Sequence, residues 1–205
     1  MKGENKKHVW VDVYAALLPD GDEVRYPVFP RERELELEGI SSDSLRREKY
    51  HAWRLLEYAL EKSLGILLTE AELYRHSSGK WLSPHAELSI AHGGGAIAVA
   101  ISRFPVGLDI EKCGRALDRG FAERMLTEKE LNTLGEDGGE ILRIWCKKEA
   151  LFKRRCEPKF IPRATETVGE PVRCEKIALG GEDYLLAVAA GEGAEINFVI
   201  RDVLA

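Results

Sequence analysis

The chain has 205 residues, 44% of them hydrophobic and 32% charged, and no apolar run approaches the ~20 residues that a membrane span requires. A net charge of −5 at pH 7 excludes a nucleic-acid binder with a basic surface throughout; basic residues gather only locally, at Arg46–Lys49 and Lys147–Arg155. The opening MKGENKKHVW lacks a signal-peptide apolar stretch, and Cys113, Cys146, Cys156 and Cys174 form no Cys-x-x-Cys pair, so a cytoplasmic protein with free thiols and no membrane partner is expected.

In chain order, alternation over His8–Leu18 predicts a strand, closed by a turn at Pro19-Asp20-Gly21 and followed by a polar connection. From Ser41 the pattern predicts a long helix ending at Gly65, with Leu45, Tyr50, Trp53, Leu56 and Leu60 at helical spacings. Short strands are expected at Ala71–His76, Ala86–Ala91, Ala96–Ser102 and Val106–Glu111. Helices follow at Leu117–Met125, Glu128–Leu134 (with Thr127 as N-cap) and Glu140–Arg155, then strands at Val172–Leu179, Tyr184–Ala190 and Ile196–Val203. Helix followed by antiparallel-type strands, twice over, predicts an α+β protein of two similar lobes, each with a long helix packed on a small sheet. The expected lobes are 1–104 and 105–205, with the active site between them.

The stretch PVGLDIEK, residues 105–112, carries an electrostatic puzzle. In an extended strand Leu108 and Ile110 point one way, while Gly107, Asp109 and Glu111 point the other. Two carboxylates then share one face of what reads as a central strand, where they repel each other and lose hydration. A positive group is expected beside them. On the helix predicted from Glu140, Glu149 and Lys153 are four residues apart and share a face, the spacing of an ordinary surface ion pair. Set beside Asp109 and Glu111, however, Glu149 completes a three-carboxylate site suited to Mg²⁺, with nearby lysines as phosphate clamps.

VGLDIEK followed by WCKKEALFK resembles the paired signature of the 4′-phosphopantetheinyl transferases, (V/I)G(V/I)D(I/V)E and WxxKEAxxK. Further segments resemble the family in order: Arg46-Arg47-Glu48-x-x-His51, Gly79-Lys80, LSIAHG at Leu88–Gly93, FAERMLTEKEL at Phe121–Leu131 and YLLAVA at Tyr184–Ala189, together spanning roughly residues 45–190. The length and the two-lobe reading resemble the larger, monomeric, pseudo-dimeric type that acts on synthase carrier domains. The resemblance implies transfer of the 4′-phosphopantetheine arm of coenzyme A to a serine of an acyl-, peptidyl- or aryl-carrier domain, with release of 3′,5′-ADP. It implies Asp109, Glu111 and Glu149 as Mg²⁺ ligands and Lys153 as a phosphate contact. Lys148 or Glu149 would take the serine proton, and Arg47, His51, Lys80 and His92 would hold the nucleotide end.

The chain departs from the family pattern at Ser89, Ala91 and Gly93, where Asn, Ser and Ser are usual, at Trp81 in place of proline, and at Cys156 in place of glycine. If Ala91 and Gly93 face the nucleotide, their missing hydroxyls weaken its binding. The alternative these departures raise is a transferase-like protein that binds coenzyme A or a carrier domain without transferring anything. His92-Gly93-Gly94-Gly95 also matches an oxyanion-hole motif of some lipases and esterases, but the Gly-x-Ser-x-Gly that such a hydrolase needs is absent from the sequence.

Overall fold

The computed structural model describes residues 10–19, 29–135 and 139–203. Strand β1 (Trp10–Leu17) leads to α1 (Arg31–Glu38) and α2 (Asp43–Leu64), then to the two-residue strands β2 (Tyr74–Arg75) and β3 (Trp81–Leu82), and to β4 (Glu87–Gly93), β5 (Ala96–Ser102) and β6 (Gly107–Lys112). Helices α3 (Arg119–Met125), α4 (Glu128–Leu131) and α5 (Gly139–Arg155) precede β7 (Val172–Leu179), β8 (Glu182–Ala189) and β9 (Glu195–Val203). The predicted turn at Pro19-Asp20-Gly21 falls largely outside the described residues.

The strands form a four-stranded sheet, β4-β5-β1-β9, a three-stranded sheet, β6-β8-β7, and a small β2-β3 ladder. Pairing is antiparallel except between β1 and β9, which run parallel, Trp10 opposite Glu195. The last strand therefore returns to pair with the first.

Side-chain alternation sets the layers. On β5, Ile97, Val99 and Ile101 join Trp53, Leu56, Ala59 and Leu60 of α2, whereas Ala96, Ala98 and Ala100 face the second sheet and meet Leu108, Ile110, Leu186 and Val188. Small alanines on that inner face let the sheets approach closely. The far side of the second sheet, through Leu185, Ala187 and Ala189, takes Cys146, Ala150 and Leu151 of α5. The order of layers is thus α2, sheet, sheet, α5.

The helix from Asp43 has its N-cap in Ser42, whose side chain accepts from Leu45 N at 3.3 Å, and ends at Gly65 in the left-handed region, φ 70°. Helix α1 lies where a polar connection was expected. RERELELE gives it no apolar stripe, and charge holds it instead: Arg33 pairs with Glu36 at 2.6 Å, donates to Lys49 O, and lies 4.9 Å over the Trp53 ring.

Candidate active site

Among the described residues the signature strand β6 is an edge strand by pairing, bonded to β8 alone, and not the central strand that its apolar residues suggest. It is covered nonetheless. Leu108 and Ile110 enter the core between the sheets, Ser89 Oγ of β4 accepts from Leu108 N at 3.0 Å, and α5 closes the other face. Gly107 is where β6 touches α5: a Cβ there would overlap Ala150 O and Arg154 N. The glycine thus permits the approach that puts the acidic strand beside the helix carrying Glu149 and Lys153.

The expected positive group is Lys153. Its Nζ lies 2.7 Å from Asp109 Oδ1 and 3.8 Å from Glu149 Oε2. Asp109 is 5% exposed, and its Oδ2 is buried without a hydrogen-bond partner among the described residues. Burial pushes the Asp109 carboxyl above the usual aspartate range, only partly countered by Lys153, and Glu111 pushes the same way. The Glu149 carboxyl is likewise raised, by burial and then by Asp109. Burial pulls the Lys153 ammonium down, but Asp109 and Glu149 together outweigh it and raise its pKa. Glu111, the third predicted acid, is drawn to Arg115 at 2.8 Å.

Among the described residues no three His, Cys, Asp or Glu side chains are grouped as metal ligands. The donors nevertheless suit a hard cation: Asp109 offers a buried, orphaned carboxylate oxygen, and the carboxyls of Asp109 and Glu149 are both held above their ordinary range, chiefly by burial.

Lys153 also borders a cleft of about 190 Å³ lined by Lys80, Trp81, Ile90, Phe152 and Cys156, among others. Lys80 donates to Val106 O at 3.0 Å and pairs with Glu87 at 3.5 Å. His92 stands off the cleft lining; its Nδ1 is 3.0 Å from Glu48 Oε2, and burial lowers its pKa more than Glu48 restores it. Arg47 and His51, on the first half of α2, are not brought to the cleft. Arg47 donates to Pro19 O, and His51 is 1% exposed with neither ring nitrogen partnered among the described residues. Burial, with Arg54 and Arg47 nearby, lowers the His51 pKa to about 4.

Lys148 is not part of this cluster either. Its fully buried ammonium lies 2.6 Å from Glu130 Oε2 and donates to Pro162 O at 2.9 Å and to Thr165 O at 2.5 Å, tying α4 and the segment after α5 to the helix. The departures on β4 also acquire a physical reason. Ala91 is 2% exposed in the core between the sheets, and a Cβ on Gly93 would lie 2.6 Å from Ile110 O, so both positions face β6 and neither lines the cleft. Gly94 and Gly95 make the β4–β5 turn at positive φ, 59° and 85°.

Trp81, Phe152 and Glu48 are site residues to which the sequence reading gave no role. Trp81 sits edge-on to Trp53 at 4.8 Å and forms a wall of the cleft, and Phe152 lies one position from Lys153 on α5. Glu48 lies inside the quoted Arg46–His51 segment. A carboxylate one turn from His51 and beside two arginines was the available signal for a histidine partner; that partner proved to be His92.

Residues 105–162 match the family model described as the 4′-phosphopantetheinyl transferase superfamily. The matched segment contains β6, Asp109, Glu111, and all of α5 with Glu149 and Lys153. No curated protein matches the chain.

Proposed function

We propose that this chain, whose residues 105–162 match the 4′-phosphopantetheinyl transferase superfamily, moves the 4′-phosphopantetheine arm of coenzyme A onto a serine of an acyl-, peptidyl- or aryl-carrier domain and releases 3′,5′-ADP. The observation that carries this reading is the meeting of Asp109, Glu149 and Lys153 beside a cleft that also contains Lys80. Mg²⁺, held by Asp109 and Glu149 with Glu111 turning in from Arg115, would neutralise pyrophosphate charge.

The protein's own groups account for the remaining chemistry. Lys153, bearing its proton because two carboxylates surround it, steadies the phosphate under attack, and Lys80 faces the nucleotide end. The serine oxygen bonds to phosphorus while the bond from phosphorus to the bridging oxygen of the departing 3′,5′-ADP breaks. The serine proton goes to Glu149, directly or through water, at a carboxylate that stands 3.8 Å from Lys153 Nζ. Lys148, enclosed by Glu130 and two carbonyls, is the less suitable base. Arg47, His51 and His92 remain proposed contacts to the nucleotide's outer phosphate, reached beyond the cleft proper. The layering of α2 with one sheet and α5 with the other supports a pseudo-dimeric arrangement with the site at its seam, in a protein that works as a cytoplasmic monomer.

The binding-only alternative drew on the departures along β4 and at Cys156: Ala91 and Gly93 face β6, whereas Ser89 and Cys156 line the cleft, so only transfer itself separates the two readings. Incubation with coenzyme A, Mg²⁺ and a panel of apo acyl-, peptidyl- and aryl-carrier domains, read by mass spectrometry, tests the reading. A phosphopantetheine adduct on the carrier serine is expected, abolished by EDTA and by Glu149→Gln. Coenzyme A binding without any adduct across the panel would favour the binder.

A further inference from the structure

Beyond the carboxylates, a second reactive group opens into the cleft. Cys156 follows the last turn of α5 with φ 54°, a left-handed conformation that residues with a β-carbon rarely adopt. Its Sγ lies 3.2 Å from His76 Nδ1 and 3.1 Å from Ser78 Oγ, and His76 and Ser78 lie on the distant β2–β3 turn. His76 Nδ1 also accepts the Ser78 backbone N–H at 3.1 Å and lies 3.0 Å from Ser78 Oγ, so Nδ1 serves as an acceptor nitrogen in this arrangement. An acceptor nitrogen therefore stands beside the thiol. Cys156 and Ser78 both line the cleft with Lys80 and Lys153, so the sulfur is half-buried yet opens onto a concave space.

The other cysteines lack this arrangement. Cys146 is fully buried, with its thiol directed at Asp109 O and Leu185 O at 3.5 and 3.7 Å, and burial raises the pKa of Cys113. Cys174, whose pKa is lowered by a hydrogen bond with Cys146 and by Arg143 and Lys147, packs against α5 on the far side of the second sheet, away from the cleft. A helix C-terminus offers an anion nothing, so reaction at Cys156 depends on a base that takes its proton.

We propose that Cys156 is a thiol-exchange site for low-molecular-weight disulfides, with His76 as proton acceptor. The Sγ proton passes to His76 Nδ1, and the sulfur attacks one sulfur of a disulfide RS–SR. A Cys156–S–S–R bond forms as the S–S bond of the reagent breaks. The released RS⁻ recovers the proton from His76 and leaves as RSH. The reagent disulfide is the only oxidant required. The group R then occupies the cleft between Lys80 and Lys153.

The test uses the full chain, reduced and then exposed to 2-hydroxyethyl disulfide, with peptide mass spectrometry following each cysteine over time. Cys156 should be modified about tenfold faster than Cys113, reversibly by dithiothreitol. His76→Gln should slow Cys156 by about tenfold and leave Cys113 unchanged, whereas Ser78→Ala should keep the preference. Labelling needs no transfer activity, so its outcome is independent of the function proposed above. Wild-type Cys156 reacting no faster than Cys113 overturns the proposal even if His76→Gln does not fold, as does an unaltered rate in a folded His76→Gln.

Discussion

Lys153 of α5 and Asp109 of β6 meet at 2.7 Å, and Asp109 keeps a second, buried oxygen without a partner among the described residues. The pair explains how two neighbouring acids are tolerated on one strand face. Replacing Lys153 by Met leaves Asp109 buried without its counter-charge, and a loss of roughly 3–5 kcal/mol of stability is expected at neutral pH.

The pH dependence of that loss has a definite sign. The folded-state pKa of Asp109 already lies above its unfolded value and rises further without Lys153. Above the unfolded value the folded state then holds more protons, so stability falls as pH rises. The deficit of Lys153→Met should shrink between pH 7 and pH 5, measured by urea denaturation against wild type. A deficit independent of pH would mean that Asp109 is not its source.

His51 gives the opposite slope. Its folded-state pKa of about 4 lies below the ordinary histidine value of 6.5. Between those values the unfolded chain binds a proton that the folded chain refuses, and stability is lost as pH falls through that window. The full difference is about 3 kcal/mol. Wild type should lose more stability than His51→Gln between pH 7 and pH 4.5. Adding 3′,5′-ADP should reduce the wild-type loss if a phosphate reaches the ring as proposed, since a neighbouring anion raises the imidazole pKa. Equal losses in wild type and variant would show that His51 is not held neutral by burial.

Lys148 offers a direct comparison between a structural and a chemical role. Lys148→Ala leaves the fully buried Glu130 with its hydrogen bonds from Thr127 N, Thr167 N and Thr167 Oγ1 but without a counter-charge, and should cost roughly 3–5 kcal/mol, while Lys148→Met combined with Glu130→Gln, which keeps an acceptor for Thr167, should recover part of that. Transfer per folded molecule in the double variant should stay within a few-fold of wild type. A folded double variant without transfer would return Lys148 to the chemistry.

Period-two and period-3.6 patterns made most elements legible: Ala96–Ser102 and Val172–Leu179 are strands at their expected bounds, and α5 begins one residue before its expected start. The acidic face of β6 was also legible, because alternation alone sends Asp109 and Glu111 away from Leu108 and Ile110. Helix α1 was not, since its stability comes from ion pairs and a cation–π contact to residues on α2. Nor was the isolation of Lys148 from its neighbour Glu149. Adjacent helix positions point about 100° apart, and only the fold determines that one direction holds Glu130 and the other Asp109.

The last prediction reverses an expectation drawn from the sequence. If Ala91 and Gly93 faced the nucleotide, serine at both would restore hydrogen bonds and tighten coenzyme A binding. Ala91 instead lies 2% exposed among Val13, Leu108 and Val188, where a hydroxyl would be buried in apolar surroundings at a cost of about 1–3 kcal/mol. A side chain on Gly93 begins 2.6 Å from Ile110 O and forces β4 and β6 apart. That displacement would carry Asp109, one residue from Ile110, away from Lys153. Ala91→Ser should therefore melt several degrees lower with unchanged coenzyme A affinity. Gly93→Ser should melt lower still and lose affinity as well, because it shifts the strand that bears the acid. Calorimetric titration and thermal melts of both single variants decide the matter: tighter binding by Ala91→Ser in a fully folded protein would mean that β4 presents this face to the ligand after all.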